Sequence, residues 1–129
     1  MKQILIVEYD KSLLQVLYDK LTQEGYSILS AVNGAIGLEA AQKNHPDLIL
    51  LDIVLPKMDG MAMMHKLRED EWGKKVPVII LTNYDATDKR LTEIVSDQPA
   101  YYLIKADNTL ENILKKVQEV LENKQEESI

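Results

Sequence analysis

Residues 47–60 read DLILLDIVLPKMDG, and the parsing of this stretch decides the fold. Asp47 to Leu51 has strand length and is apolar almost throughout, without the alternation of a sheet that has one wet face. Such a strand belongs in a parallel sheet with helices on both sides. Asp52 ends the run, and the loop IVLPKMDG leads into a helix expected from about Met61 to Glu71. Upstream, His45-Pro46 breaks the chain just before the strand.

The same unit recurs on either side. Gln3 to Val7 (QILIV) is a first strand, followed by Leu14, Leu17 and Leu21 at helical spacing. Ser12 with Gln15 reads as the capping box that starts this helix, and Gly25 as its end. Tyr26 to Ala31 gives a second strand, and Asn33 caps a helix through Leu38 and Ala41 toward Asn44. Pro77 opens a fourth strand, Val78 to Leu81, with a helix expected over Asp85 to about Asp97. Ala100 to Ile104 is the fifth strand. Asn108 and Glu111 read as a capping box for a last helix with Leu110, Ile113, Leu114, Val117 and Leu121 on one face. Five strand–helix units with right-handed crossovers make a doubly wound parallel α/β sheet.

Composition narrows the chemistry. The chain has 129 residues, enough for one domain, and 46% are hydrophobic against 28% charged. Its net charge of −6 argues against direct nucleic-acid binding. The absence of cysteine excludes disulfides, thiolate catalysis and cysteine-held metals, and two histidines leave little for a histidine metal centre. Ile4 to Val7 is too short for a signal peptide or a membrane span, so a cytoplasmic protein is expected. His45 and His65 are expected to face solvent. Met58, Met61, Met63 and Met64 are read as core and loop packing, and the charged positions from Glu111 to Glu122 as a solvated helix face.

In an open parallel sheet, ligands meet the carboxyl ends of the strands. Those ends carry Glu8, Tyr9 and Asp10 after strand one, Asp52 after strand three, Thr82 after strand four and Lys105 after strand five. Two acids can hold a hard cation through oxygen, a carboxylate beside it can attack phosphorus, and a lysine and a hydroxyl can serve phosphoryl oxygens.

The succession ILIVEYD, DLILLDIVLPKMDG, VIILTN and YYLIKAD resembles the response-regulator receiver domains of the chemotaxis-regulator type, from Lys2 to about Leu121. The resemblance implies a flavodoxin-like (βα)5 fold with strand order 2-1-3-4-5, a receiver domain over residues 1–124 and a polar tail over 125–129. It implies a phosphoacceptor at Asp52, served by a sensor histidine kinase, with Thr82 and Lys105 contacting the phosphoryl group. It also implies Mg2+ held by Glu8, Asp52 and the backbone carbonyl of Val54, and a switch that pairs Thr82 with Tyr102. The expected role is signalling by altered partner binding rather than enzymatic turnover, with no output domain after Ile129. The fourth helix, fifth strand and fifth helix form a face on which members of the family often dimerise.

The sequence departs from the family at four places. Receivers usually carry paired aspartates after strand one, where this chain has Glu8-Tyr9; a phenol replaces a direct metal ligand, which should weaken Mg2+ binding. Asp10 is a candidate replacement ligand, its alternative being to lead into the first helix. Ala106 follows Lys105 where proline is frequent, which leaves the isomer of that peptide open. Pro99, and Asn83-Tyr84-Asp85 ahead of the fourth helix, also differ. The chief alternative is a pseudo-receiver, an interaction module that works without phosphorylation. A haloacid-dehalogenase-like phosphatase fails because it needs an aspartate where Glu8 stands, and a flavin or dinucleotide site because no glycine-rich turn follows strand one.

Overall fold

The computed structural model describes residues 1–84 and 88–127. Strands β1 (Gln3–Val7), β2 (Ser27–Ala31), β3 (Leu48–Leu51), β4 (Val78–Thr82) and β5 (Tyr101–Ile104) alternate with helices. The helices are α1 (Lys11–Gln23), α2 (Gly34–Asn44), α3 (Gly60–Glu69), α4 (Asp88–Ser96) and α5 (Leu110–Glu127). The strands form one parallel sheet in the order β2-β1-β3-β4-β5. This is the expected doubly wound, flavodoxin-like arrangement.

The unbroken apolar character of β1, β3 and β4 follows from burial on both faces. On one side Leu5, Val7, Ile49, Leu51, Val78 and Ile80 pack with Ala41 of α2, Met63, Met64 and Leu67 of α3, and Ile94 of α4. On the other, Ile4, Ile6, Leu48, Leu50, Ile79 and Leu81 pack with Leu17 and Leu21 of α1 and Ile113, Val117 and Leu121 of α5. Met63 and Met64 are therefore core residues, with Met58 and Met61 packed against the same layer.

Two helix starts differ from expectation. The α1 cap is Asp10, whose carboxylate accepts from the N–H groups of Ser12 and Leu13 at 2.9 and 3.3 Å. Ser12 already lies inside the helix, and Gln15 bonds Asp19 instead. A carboxylate both fills the orphan N–H groups and matches the positive end of the helix dipole. At α5 the Thr109 hydroxyl, rather than Asn108, accepts from the backbone N–H of Asn112, while the Asn108 side chain accepts from the Asn112 side-chain amide and donates to the Ile104 carbonyl at 2.8 Å. The α5 helix runs through Glu127, into the stretch expected as a tail; Ser128 and Ile129 lie outside the described residues, as does Asp85 before α4. Asn33 and Asp59 cap α2 and α3.

The face of α5 is less purely solvated than its charges suggest. Lys116 sits over the Tyr101 ring, 4.7 Å from its centroid, and Glu119 accepts from the Tyr101 hydroxyl at 2.9 Å. His45 and His65 are exposed, yet His45 stacks on Trp72 with ring centroids 4.4 Å apart. The Lys105–Ala106 peptide is trans, like the other described peptide bonds.

Candidate functional site

Glu8 and Asp52 follow directly on β1 and β3 and stay tied to the sheet. The Glu8 N–H donates to Ala31 at 3.0 Å and the Asp52 N–H to Val7 at 3.1 Å. Adjacent parallel strands that end level thus bring both carboxylates to one edge. Lys105 follows β5 on the same edge and begins a short 3-10 turn, Lys105–Asp107. Its ammonium lies 2.8 Å from Glu8 Oε1 and 2.6 Å from Asp52 Oδ2. The remaining oxygens accept backbone N–H groups, Glu8 Oε2 from Asp10 at 2.9 Å and Asp52 Oδ1 from Val54 at 3.1 Å.

The loop after Asp52 is held by a close backbone approach. A Cβ on Gly60 would fall 2.1 Å from the Asp52 carbonyl oxygen, and the Gly60 N–H donates to Ile53 at 2.8 Å. Only glycine lets the start of α3 press against the residue that bears the carboxylate. Asp59 beside it caps α3 through Ala62 at 2.8 Å. The Asp59-Gly60 end of the loop thus acquires a physical reason.

The three charged groups are buried unequally. The side chains of Glu8 and Asp52 are 4% and 6% exposed, and that of Lys105 is 19% exposed. Burial raises the Glu8 carboxyl above its ordinary range, opposed by the bonds from Lys105 and the Asp10 N–H and assisted by the charge of Asp52. Burial pulls the Lys105 ammonium down, but its bonds to Asp52 and Glu8 outweigh this and hold it above the usual lysine value. Burial alone would favour the neutral form of Glu8, and the bond from Lys105 is the largest effect that favours its charged form.

These groups line an open cleft of about 310 Å³ with Tyr9, Asp10, Val54, Asn83 and Tyr84. Tyr9 is 61% exposed. The Asp10 carboxylate, named as a candidate ligand, is engaged as the α1 cap. Thr82 is fully buried beside the cleft, its hydroxyl oxygen accepting from the Tyr84 N–H at 3.1 Å. The Tyr84 carbonyl in turn accepts from the Tyr102 hydroxyl at 2.8 Å. The two residues expected to switch together therefore meet through one backbone unit. Sequence reasoning singled out Asn83 and Tyr84 as departures ahead of the fourth helix but missed these bonds, including that of Asn83, whose side chain accepts from the Ala106 N–H at 3.0 Å and ties the loop after β4 to the loop after β5. Their place directly after Thr82 was the available signal.

The donor set suits a hard cation. Glu8 and Asp52 offer carboxylate oxygen and no nitrogen or sulfur ligand intrudes, as Mg2+ prefers, and one or two carboxylates suffice for it. Among the described residues, no three acidic, histidine or cysteine side chains gather into a metal cluster. The fit is thus with two acids rather than three.

Sequence and fold both match known proteins. The family model described as the response regulator receiver domain matches residues 4–118. The chain is 34% identical over 94 residues to the response regulator PleD of Caulobacter vibrioides, covering 73% of this chain and 21% of that protein. It is 36% identical over 121 residues to histidine kinase P4 of Formosa agariphila, covering 94% of this chain and 9% of that one. The chain thus spans a minor part of these relatives. Among solved structures, a CheY-like receiver domain protein from Methanospirillum hungatei superposes with a TM-score of 0.90 at 27% identity, over 98% of both chains. No helix among the described residues is long and apolar enough to cross a membrane. With this sheet, this strand-end cleft and a family match over nearly its whole length, the chain belongs to the response-regulator receiver domains of two-component signalling.

Proposed function

We propose that Asp52 accepts a phosphoryl group from the phosphohistidine of a sensor histidine kinase, and that its loading changes which protein this domain binds. Receiver domains are signalling modules that histidine kinases phosphorylate, and they typically bind Mg2+. The observation that carries the assignment to Asp52 is the 2.6 Å contact from Lys105 to a buried carboxylate at the end of β3. It holds a cation where phosphoryl charge would gather.

In the transfer, an Asp52 oxygen bonds to phosphorus as the bond from phosphorus to the imidazole nitrogen breaks. The electron pair leaves with the imidazole, which takes a proton from solvent, and an acyl phosphate remains. Lys105 moves its donors from the carboxylate to a phosphoryl oxygen. Thr82 gives up the Tyr84 N–H and donates its hydroxyl to another, which shifts Tyr84 and with it the carbonyl that accepts from the Tyr102 hydroxyl. Glu8, Asp52 and the Val54 carbonyl would hold Mg2+, which supplies charge neutralisation between the acids and the incoming phosphoryl oxygens. Tyr9 places a phenol where a third acid would add affinity.

The output face of this reading is α4, β5 and α5, where Leu91 and Val95 stand exposed on α4, and it serves a partner protein or a second copy of the chain. The test is intact mass after incubation with Mg2+ and a small-molecule phosphodonor. We expect one added phosphoryl group that disappears in Asp52→Asn. A chain that gains none at any Mg2+ concentration overturns the reading and leaves an interaction module in its place.

A further inference from the structure

Each carboxylate oxygen of Glu8 and Asp52 already has a partner within the chain. Glu8 uses Lys105 and the Asp10 N–H, and Asp52 uses Lys105 and the Val54 N–H. One ammonium therefore joins both acids, in the place that a cation shared by them would occupy. Glu8 matters in this geometry. With the backbone unchanged, an aspartate at position 8 would end one carbon short, and a 2.8 Å contact would stretch beyond hydrogen-bonding range.

We propose that Lys105 is an intramolecular competitor for the divalent cation: Mg2+ engages Glu8 and Asp52 only as the ammonium leaves Glu8. The proposal rests on the reading of this cleft as a Mg2+ site and adds what sets its affinity. A dipositive ion beside Asp52 and Glu8 meets an ammonium bonded to both, and charges of like sign at such separations repel strongly in a partly buried site. Because Lys105 is also the group that meets the phosphoryl oxygens in the proposed transfer, its release from Glu8 by the metal would leave it ready for them. Metal loading and lysine delivery become one event, and the extra methylene of Glu8 is what couples them. The Tyr9 phenol lowers the number of acids, whereas the Lys105–Glu8 contact lowers the availability of one that remains.

The experiment is a titration with Mn2+, followed by electron paramagnetic resonance of the free ion, on the whole chain and on Lys105→Met, Glu8→Asp and the double variant. Tm with and without Mg2+ gives a second readout. Lys105→Met should bind Mn2+ about tenfold more tightly or better, and Glu8→Asp, which keeps every charge and guards against misfolding of the first variant, should also bind more tightly. In the Glu8→Asp background the further gain from Lys105→Met should shrink to about threefold or less, since the contact with position 8 is already gone and only the one with Asp52 remains to be removed. An equal gain in both backgrounds overturns the proposal in favour of plain charge repulsion. Unchanged or weaker binding by Lys105→Met, with the unsubstituted chain binding Mn2+, overturns it and leaves the Mg2+ site standing. No binding by any of the four chains overturns both.

Discussion

Replacing Lys105 by methionine should destabilise the domain in a way that depends on pH. The ammonium makes charged contacts of 2.8 and 2.6 Å to carboxylates that are 4% and 6% exposed. Removing one partner of a buried ion pair costs about 3–5 kcal/mol, because the other charge stays behind without compensation. Lys105 itself is 19% exposed and the cleft is open, so water can replace part of what is lost. We therefore expect about 3 kcal/mol near pH 7, which for a domain of this size lowers Tm by roughly 10 °C. Burial already holds the Glu8 carboxyl above its ordinary range, and losing Lys105 raises it further. The folded variant then keeps a proton that its unfolded chain releases above about pH 4.3, so its stability falls as pH rises from there through the folded value. The deficit against the parent should shrink on acidification toward about pH 4.5. Thermal melts followed by far-UV circular dichroism at both pH values test this. Equal Tm near pH 7, or a deficit that grows in acid, would refute the reasoning.

Further substitutions at Arg68, Asp10 and Ser12 probe the frame around the site. Arg68 donates to the carbonyls of Asp97, Gly73, Val76 and Gln98 at 2.7 to 3.2 Å, and burial lowers its guanidinium below the usual value. Arg68→Met should cost about 2–4 kcal/mol in urea unfolding, with faster amide exchange where α4 joins β5, and Arg68→Lys should recover only part of it. Asp10→Ala should cost about 1 kcal/mol through loss of the α1 cap, with Ser12→Ala close to neutral, and calorimetric melts of the two variants distinguish them.

The sheet was legible because β1, β3 and β4 are apolar on both faces, a pattern with few alternative explanations. The site was legible because parallel strands end at one edge, so residues far apart in sequence share an address: Glu8, Asp52 and Lys105 meet there. The α1 cap was misplaced because Asp10 and Ser12 are both good caps, and the choice between them depends on where the chain leaves Glu8. Thr109 and Asn108 posed the same ambiguity. The joints through Asn83 and Tyr84 escaped because they involve backbone groups, to which residue type gives no clue. The attachment of Lys116 and Glu119 to Tyr101 needed the spacing between α5 and β5, which no local pattern contains.

The stacking of Trp72 on His45 has a practical consequence. Trp72 is the sole tryptophan of the chain. It sits in the connection before β4, at the opposite end of the strands from Asp52 and roughly 15 Å away along a five-residue strand. The molecule thus contains a built-in fluorophore stacked on an imidazole and remote from the cleft. Any change in its emission when metal or phosphoryl donor is added would report motion carried the length of the sheet rather than contact with the added ligand.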